Sequence, residues 1–421
     1  VSRPEGLSAY IAVTAAYWAF MLTDGALRML VLLHFHSLGF SPVQLAYLFV
    51  LYEIAGIVTN LCAGWVAARF GLTSTLYAGL ALQVAALLAL AQLDPTWTVP
   101  ASVGFVMLVQ GASGVAKDLA KMSAKSAVKL LAPSGAGGLF RWVALLTGSK
   151  NAVKGAGFLL GAALLATVGF VPAVLGMAAV LSLILGAVIV KMPTGLPTGR
   201  KDAKFKEIFS DNANINWLSL ARVFLFGARD VWFVVGIPIY FYAVLSDGSE
   251  DGNRTAFFII GSFMAVWTVL YGFVQASAPN LLRAKDRPES EIVHVARHWA
   301  AGLALIPALL AALVWFGGAP STGLTVALIT GLLVFGAVFA VNSALHSYLI
   351  LAFSSGDRVT MDVGFYYMAN AVGRLLGTVL SGLTYQLGGL PLCLTTAAVM
   401  VLLSWVAAVR LTTPEIQTEK P

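Results

Sequence analysis

The chain has 421 residues, of which 59% are hydrophobic and only 11% charged, with a mean hydropathy of +0.86 and a formal net charge of +7. Soluble domains carry about 25% charged residues, so this composition excludes a soluble enzyme or a soluble nucleic-acid-binding module and implies an integral membrane protein. The two cysteines, Cys62 and Cys393, lie in separate apolar segments without a CxxC partner, which speaks against a disulfide framework or a thiolate metal site.

Apolar runs of about 20 residues, long enough to cross about 30 Å of hydrocarbon, recur along the chain. They predict twelve helices centred near residues 22, 56, 83, 113, 154, 180, 229, 269, 305, 338, 374 and 401. The first brings Asp24 and Arg28 to mid-membrane in LTDGALRML, one turn apart and able to pair, with Tyr17 and Met21 on the same face. The second carries Glu53. The turn after it, GWVAARFGL, matches the major facilitator pattern G-x-x-x-D-R-x-G at Gly64, Arg69 and Gly71, but Ala68 stands where the Asp belongs. That departure puts the usual charge relay of the turn in doubt, not the fold.

Helix four holds a ladder of lysines at 117, 121, 125 and 129. Lys117 and Lys121 form a deep stripe with Gln110 and Gly114, Asp118 is turned about 100° away, and Lys125 and Lys129 reach the headgroups. In helix five, TGSKNAVKGAGFLLG sets Lys150, Lys154, Gly157 and Gly161 on one stripe. The polar stretch MPTGLPTGRKDAKFKEIFSDN, residues 192–212, then divides the chain into an amino-terminal six-helix half (1–191), a central loop (192–213) and a carboxy-terminal half (214–421).

Helix seven offers Arg229 and Asp230 in LFGARDVW, with Arg222 near enough to its end to snorkel. Helix ten carries Asn342 and His346, and helix eleven carries Asn370 and Arg374 in MANAVGRLLG; with Tyr17, the residues Asn342, His346 and Asn370 are the cavity-lining candidates. A shift of 220 residues superposes Lys154 on Arg374, Gly157 on Gly377, Ala162 on Gly382 and Gly169 on Gly389, a faint internal repeat of the kind that transporters with rocking halves show.

Of the alternate connections, HSLGFSPVQ, LDPTW, FGGAPSTG and QLGGLP carry no Lys or Arg and SDGSEDGNR carries only Arg254, whereas the intervening ones hold Arg69, Arg141, Lys191, Arg200, Lys201, Arg283 and Arg358. The positive-inside rule therefore places both termini in the cytoplasm, for a multi-pass protein of the bacterial inner membrane.

A cation at the centre of a lipid-facing helix costs about 2.5 to 3.5 kcal/mol, so deep charges should face the bundle interior or water. The deep cations are seven, Arg28, Lys117, Lys121, Lys150, Lys154, Arg229 and Arg374, against four deep anions, Asp24, Glu53, Asp118 and Asp230. Ion pairing for folding alone can absorb four of the seven cations, and the three left over suit an anionic ligand of phosphate-like geometry. The four carboxylates are the candidates for proton coupling or charge pairing, Glu53 the weakest of them.

His294 and His298 have zinc-helix spacing, but Val295 replaces the Glu of H-E-x-x-H and Arg297 would repel a metal. There is no G-x-x-x-x-G-K-[ST] loop and no G-x-S-x-G elbow. Neither an enzyme, a cofactor nor a metal is expected.

The runs YWAFMLTDGALRMLVLLHFH, YEIAGIVTNL, GVAKDLAKMSAKSAVKLL, WVALLTGSKNAVKGAGF and LFGARDVWFVV resemble the ArsJ family of arsenate-resistance permeases, within the major facilitator superfamily. The resemblance implies an all-α, twelve-helix membrane fold and efflux of an organoarsenical, 1-arseno-3-phosphoglycerate. Glyceraldehyde-3-phosphate dehydrogenase would then be the metabolic partner, since it makes that ester when arsenate replaces phosphate. One Arg in the first helix of each half, Arg28 and Arg229, is also similar to organophosphate and phosphate antiporters of the superfamily. A receptor that binds without translocating is the alternative outside transport; the short loops disfavour it. No nucleic acid is an expected partner, and a monomer in contact with lipid is the expected form, because one chain holds both halves.

Overall fold

The computed structural model describes residues 3–131, 138–192, 210, 212–282, 289–354 and 359–412, and every regular element among them is helical. The central segment 193–209 and the side chains of Lys125, Lys129 and Arg141 lie outside the described residues. Among the described residues, ten segments are long and apolar enough to cross a membrane. One of them, 48 residues long, lies in α12 (Val359–Val409), which breaks at Gly388 and Gly389 and so makes two passes. The 30-residue α5 (Gly138–Thr167) supplies the remaining pass. These twelve passes sit at the twelve predicted centres.

The first pass is α1 (Arg3–Ser37). The second begins with the short α2 (Pro42–Tyr47), where Ser41 accepts from the Gln44 amide, Gln44 caps the Ser41 amide in return, and Pro42 occupies the first turn. It continues into α3 (Val50–Leu90), which turns back at Gly71. There φ is 76° and ψ −179°, a conformation open to glycine and costly for other residues, so the last glycine of the GWVAARFG turn has a steric reason of its own. The next passes are α4 (Val99–Leu131), α5 and α6 (Phe170–Lys191).

The seventh pass runs through α7 (Ala213–Val231), a π-helical turn at Trp232–Gly236, and α8 (Ile237–Leu245). Pro238 has no N–H and its ring crowds the preceding turn, which widens just before it. Ser381 Oγ accepts from the Val235 and Gly236 amides at 3.0 and 3.1 Å, so the widened turn leaves neither amide orphaned. The bulge begins two residues after Asp230. The chain closes with α9 (Glu250–Leu281), α10 (Glu289–Phe316), α11 (Thr322–Phe353) and α12.

The faint repeat read from sequence has a packing counterpart. A Cβ on Gly157 of α5 would fall 3.1 Å from Gly25 Cα and from Ala26 N of α1, and a Cβ on Gly377 of α12 would fall 3.1 Å from Gly227 Cα of α7. Gly169 and Gly389, also superposed by the 220-residue shift, both have positive φ, 83° and 63°. Each first helix therefore meets a fifth helix through facing glycines, and these close contacts bring Lys154 and Arg374 to the middle of the bundle. Gly157→Val is expected to wedge α1 from α5 at a cost of about 1–3 kcal/mol, read as a lowered melting temperature of the purified protein.

The two sets of six helices meet along α5 and α9, where Gly261 abuts Ala162. They also meet at the end carrying the cation-poor loops. There the Val43 amide donates to Gln386 Oε1 at 3.3 Å, and the His36 and Tyr242 rings lie 4.7 Å apart, edge to face. In one of these loops the Thr96 amide and hydroxyl donate to Asp94 and hold its carboxyl below the usual range.

Candidate functional site

Glu53 sits at the centre of the bundle, fully buried, in the first turn of α3 where helix amides favour a carboxylate. Arg28 Nη1 donates to its Oε1 at 3.2 Å, and Arg374 Nε donates to its Oε2 at 2.8 Å, with Arg374 Nη2 on the same oxygen. One carboxylate thus ties α1 to α12, across the two sets of helices. The Arg28 guanidinium also lies 5.0 Å from the Phe49 ring centre and 5.6 Å from that of Tyr52, which limits its swing.

Three more ion pairs surround this one. Lys154 Nζ lies 2.8 Å from Asp24 Oδ2, while the Tyr52 hydroxyl donates to Asp24 Oδ1 at 2.7 Å. Lys121 Nζ lies 2.6 Å and Lys117 Nζ 3.9 Å from Asp118, which also accepts from the Thr59 hydroxyl. Lys121 donates further to Asn60 Oδ1 at 2.7 Å, and the Lys117 ammonium stands 4.2 Å over the Tyr52 ring. Arg229 pairs with Asp230 at 2.6 Å and lies over Phe226, Phe339 and Phe233. Lys150 is half-buried one turn before Lys154 on α5.

In these pairs the carboxylates are 0 to 3% exposed, whereas Arg28, Lys121, Lys154, Arg229 and Arg374 keep 15 to 21% of their side-chain surface accessible. The carboxylates are thus buried more deeply than the cations they hold, and the cations keep part of their surface accessible. The charges close locally at Asp24 with Lys154 and at Asp230 with Arg229. Two arginines share Glu53 and two lysines share Asp118, so among the ion pairs of the described residues cations outnumber carboxylates two to one in each group.

Several expectations need correction. Asp24 and Arg28 do not pair with each other: successive turns put them on the same stripe, but a long cation from α5 and a carboxylate from α3 reach each first. Asp118, although turned away from the lysine stripe of helix four, bonds to it, because lysine stems bend across a turn. Tyr17, Asn342 and His346 are 0 to 2% exposed and Asn370 is half-buried, so the first three are fully enclosed by the helices. Arg222 does not snorkel to headgroups but is buried inside the second set of helices. Tyr52, Thr59 and Asn60 have no mark in the sequence, where a lone Tyr, Thr or Asn in an apolar run gives no signal. Only Glu53, Asp24 and Asp118, placed in space, show what they serve.

No family model matches the chain, and no curated protein is significantly similar to it. Solved structures do resemble it. A POT family transporter in complex with 5-aminolevulinic acid superposes with a TM-score of 0.70 at 13% identity, covering 95% of each chain. A point mutant of the nucleoside transporter NupG gives 0.67 at 17% identity, over 97% of this chain and 98% of that one. A bacterial homologue of the iron transporter ferroportin, in its outward-facing state, gives 0.61 at 16% identity over 96% and 99%. At such identities the likeness shows the fold alone, the all-α membrane fold of these transporters.

Proposed function

We propose that this chain is a secondary transporter that moves a small, multiply charged oxyanion by alternating access, and that its cargo is the organoarsenical ester 1-arseno-3-phosphoglycerate, exported from the cell. The observation that carries the anion reading is the convergence of six deep cations from five helices on four buried carboxylates, with two cations to one carboxylate at Glu53 and at Asp118. The resemblance of the charged runs to arsenate-resistance permeases supports the arsenical.

The carboxylates act as internal counter-anions. In the resting protein Glu53 takes one donor of Arg28 and two of Arg374, and an arriving oxyanion takes over those donors. Because Glu53 belongs to α3 and Arg374 to α12, the exchange loosens a tie between the two sets of helices, which is what a rocking step requires. A phosphate ester bearing an arsenate carries up to about four negative charges at neutral pH. With the interior negative, each contributes about 2.3 kcal/mol per 100 mV to outward movement, so the membrane potential alone can drive export.

The test is uptake of enzymatically generated ester by everted vesicles. Accumulation that exceeds that of vesicles lacking the protein, and that 3-phosphoglycerate inhibits, is the expected result; no excess sinks the reading. Uptake should persist when the proton gradient is collapsed and the potential clamped, and its loss there would instead demand a proton on one of the four carboxylates. Arg28 and Arg229, one from the first helix of each set, favour a second reading as an organophosphate exchanger. Stimulation of uptake by phosphate preloaded inside the vesicles would favour it.

A further inference from the structure

Arg222 stands apart from the four ion pairs. It is 4% exposed, yet among the described residues no carboxylate lies within 4.0 Å of its guanidinium. Neutral groups hold it instead. Nε donates to Asn370 Oδ1 at 3.0 Å, and Nη1 donates to the Ser343 hydroxyl at 3.0 Å and to its carbonyl at 3.2 Å. The plane is packed 4.0 Å from the Phe226 ring centre and 4.9 Å from that of Tyr366. Nη2 makes no hydrogen bond among the described residues. A buried cation without a counter-ion is costly, and a fold that needed only a hydrogen-bond donor here would use a neutral one.

The place of Arg222 along the bundle matters. It lies seven residues before Arg229 on α7, hence on the same face and about 10 Å lower. Its partner Asn370 lies one turn, about 6 Å, before Arg374 on α12. The wall that bears Arg229 and Arg374 therefore continues into Asn370 and Arg222. Gln275, half-buried, donates to Ser343 Oγ at 3.1 Å and accepts from Asn151 of α5 at 3.3 Å, so this polar layer reaches the lysine-bearing helix opposite. Serine, asparagine and glutamine can each turn to donate to an anion. In the same layer, Asn342 Oδ1 and both ring nitrogens of His346 are buried without a hydrogen bond among the described residues.

We propose that Arg222, with Asn370, Ser343 and Gln275, forms a second oxyanion subsite, which holds the far end of a two-ended anion whose near end lies at Arg28, Lys117 and Arg374. The inference rests on the anion-transport reading above and adds to it an orientation and a length requirement. The ligand class is a short carbon chain with an oxyanion at each end, and the spacing of the two subsites selects it over inorganic phosphate, which fills one.

The experiment measures binding of 3-phosphoglycerate, as the two-ended probe, and of inorganic phosphate, as the one-ended probe, to the purified full chain. Arg222→Gln should weaken 3-phosphoglycerate binding tenfold or more and change phosphate binding less than twofold. Asn370→Asp keeps the arginine in place but sets a carboxylate on it, and should give the same selective loss; it decides the matter if Arg222→Gln does not fold. Unchanged 3-phosphoglycerate affinity in the folded variants, or equal loss of both probes, overturns the subsite while leaving anion binding intact. If the unaltered protein binds neither probe, the transport reading itself fails, and the subsite with it.

Discussion

Arg374→Ala is expected to lower export of the anionic ester at least a hundredfold, equivalent to about 2.7 kcal/mol of lost transition-state stabilisation. The residue donates twice to one oxygen of a carboxylate that is fully buried, and it is the donor that reaches Glu53 from the second set of helices. Without it, Arg28 alone compensates Glu53, through a single contact at 3.2 Å. Removing one partner of a buried pair costs about 3 to 5 kcal/mol, moderated here because the second arginine remains. The loss therefore has two sources, a weaker tie between helix sets and a missing fork for the oxyanion. Arg374→Lys separates them. A lysine restores the charge but not two parallel donors, so it should recover the amount of folded protein in the membrane and little of the export. Vesicle uptake normalised to the protein present measures this, and full export by Arg374→Lys would rule out the fork.

Much of the fold is legible in the amino-acid sequence, for a physical reason. Hydrocarbon thickness fixes the length of each pass and forces the backbone into helix, so twelve apolar runs become twelve crossings. The glycines that echo at 220-residue spacing are legible as small residues, and the packing adds why: Gly157 faces Gly25, and Gly377 faces Gly227. The depth of the charges is legible as well, because a rise of about 1.5 Å per residue turns position into height.

The pairing is not legible. Helical periodicity says which residues share a stripe on one helix, but Asp24 has a choice between Arg28 on its own helix and Lys154 on another, and only the approach of α1 and α5 decides it. Glu53 is the weakest of the candidate carboxylates in sequence because nothing near it there is charged, yet it joins three helices. Arg222 misleads for the opposite reason. Its height near a helix end permits snorkelling, but it sits on the inward face with Leu218, Phe226 and Arg229, and Ser343 and Asn370 reach it from α11 and α12.

Lys154→Ala should be the most damaging single change in the first set of helices, and paired with a second change it separates folding from function. The lysine is 2.8 Å from Asp24, a carboxylate only 2% exposed at its side chain, whose other oxygen accepts from Tyr52. Truncation leaves that carboxylate to Tyr52 alone, so the single variant should lose stability by about 3 to 5 kcal/mol as well as all export. Asp24→Asn together with Lys154→Ala removes both charges and leaves an amide that still accepts from Tyr52. The double variant should regain most of the lost melting temperature, since a neutral pair avoids the uncompensated charge. Export should remain absent, because Lys154 keeps 20% of its side-chain surface accessible while Asp24 keeps 2%. Recovery of export in the double variant would make Lys154 a folding partner of Asp24 and nothing more, leaving the anion to Arg28, Lys117, Lys121 and Arg374. Loss of export with recovered stability assigns the lysine to the cargo.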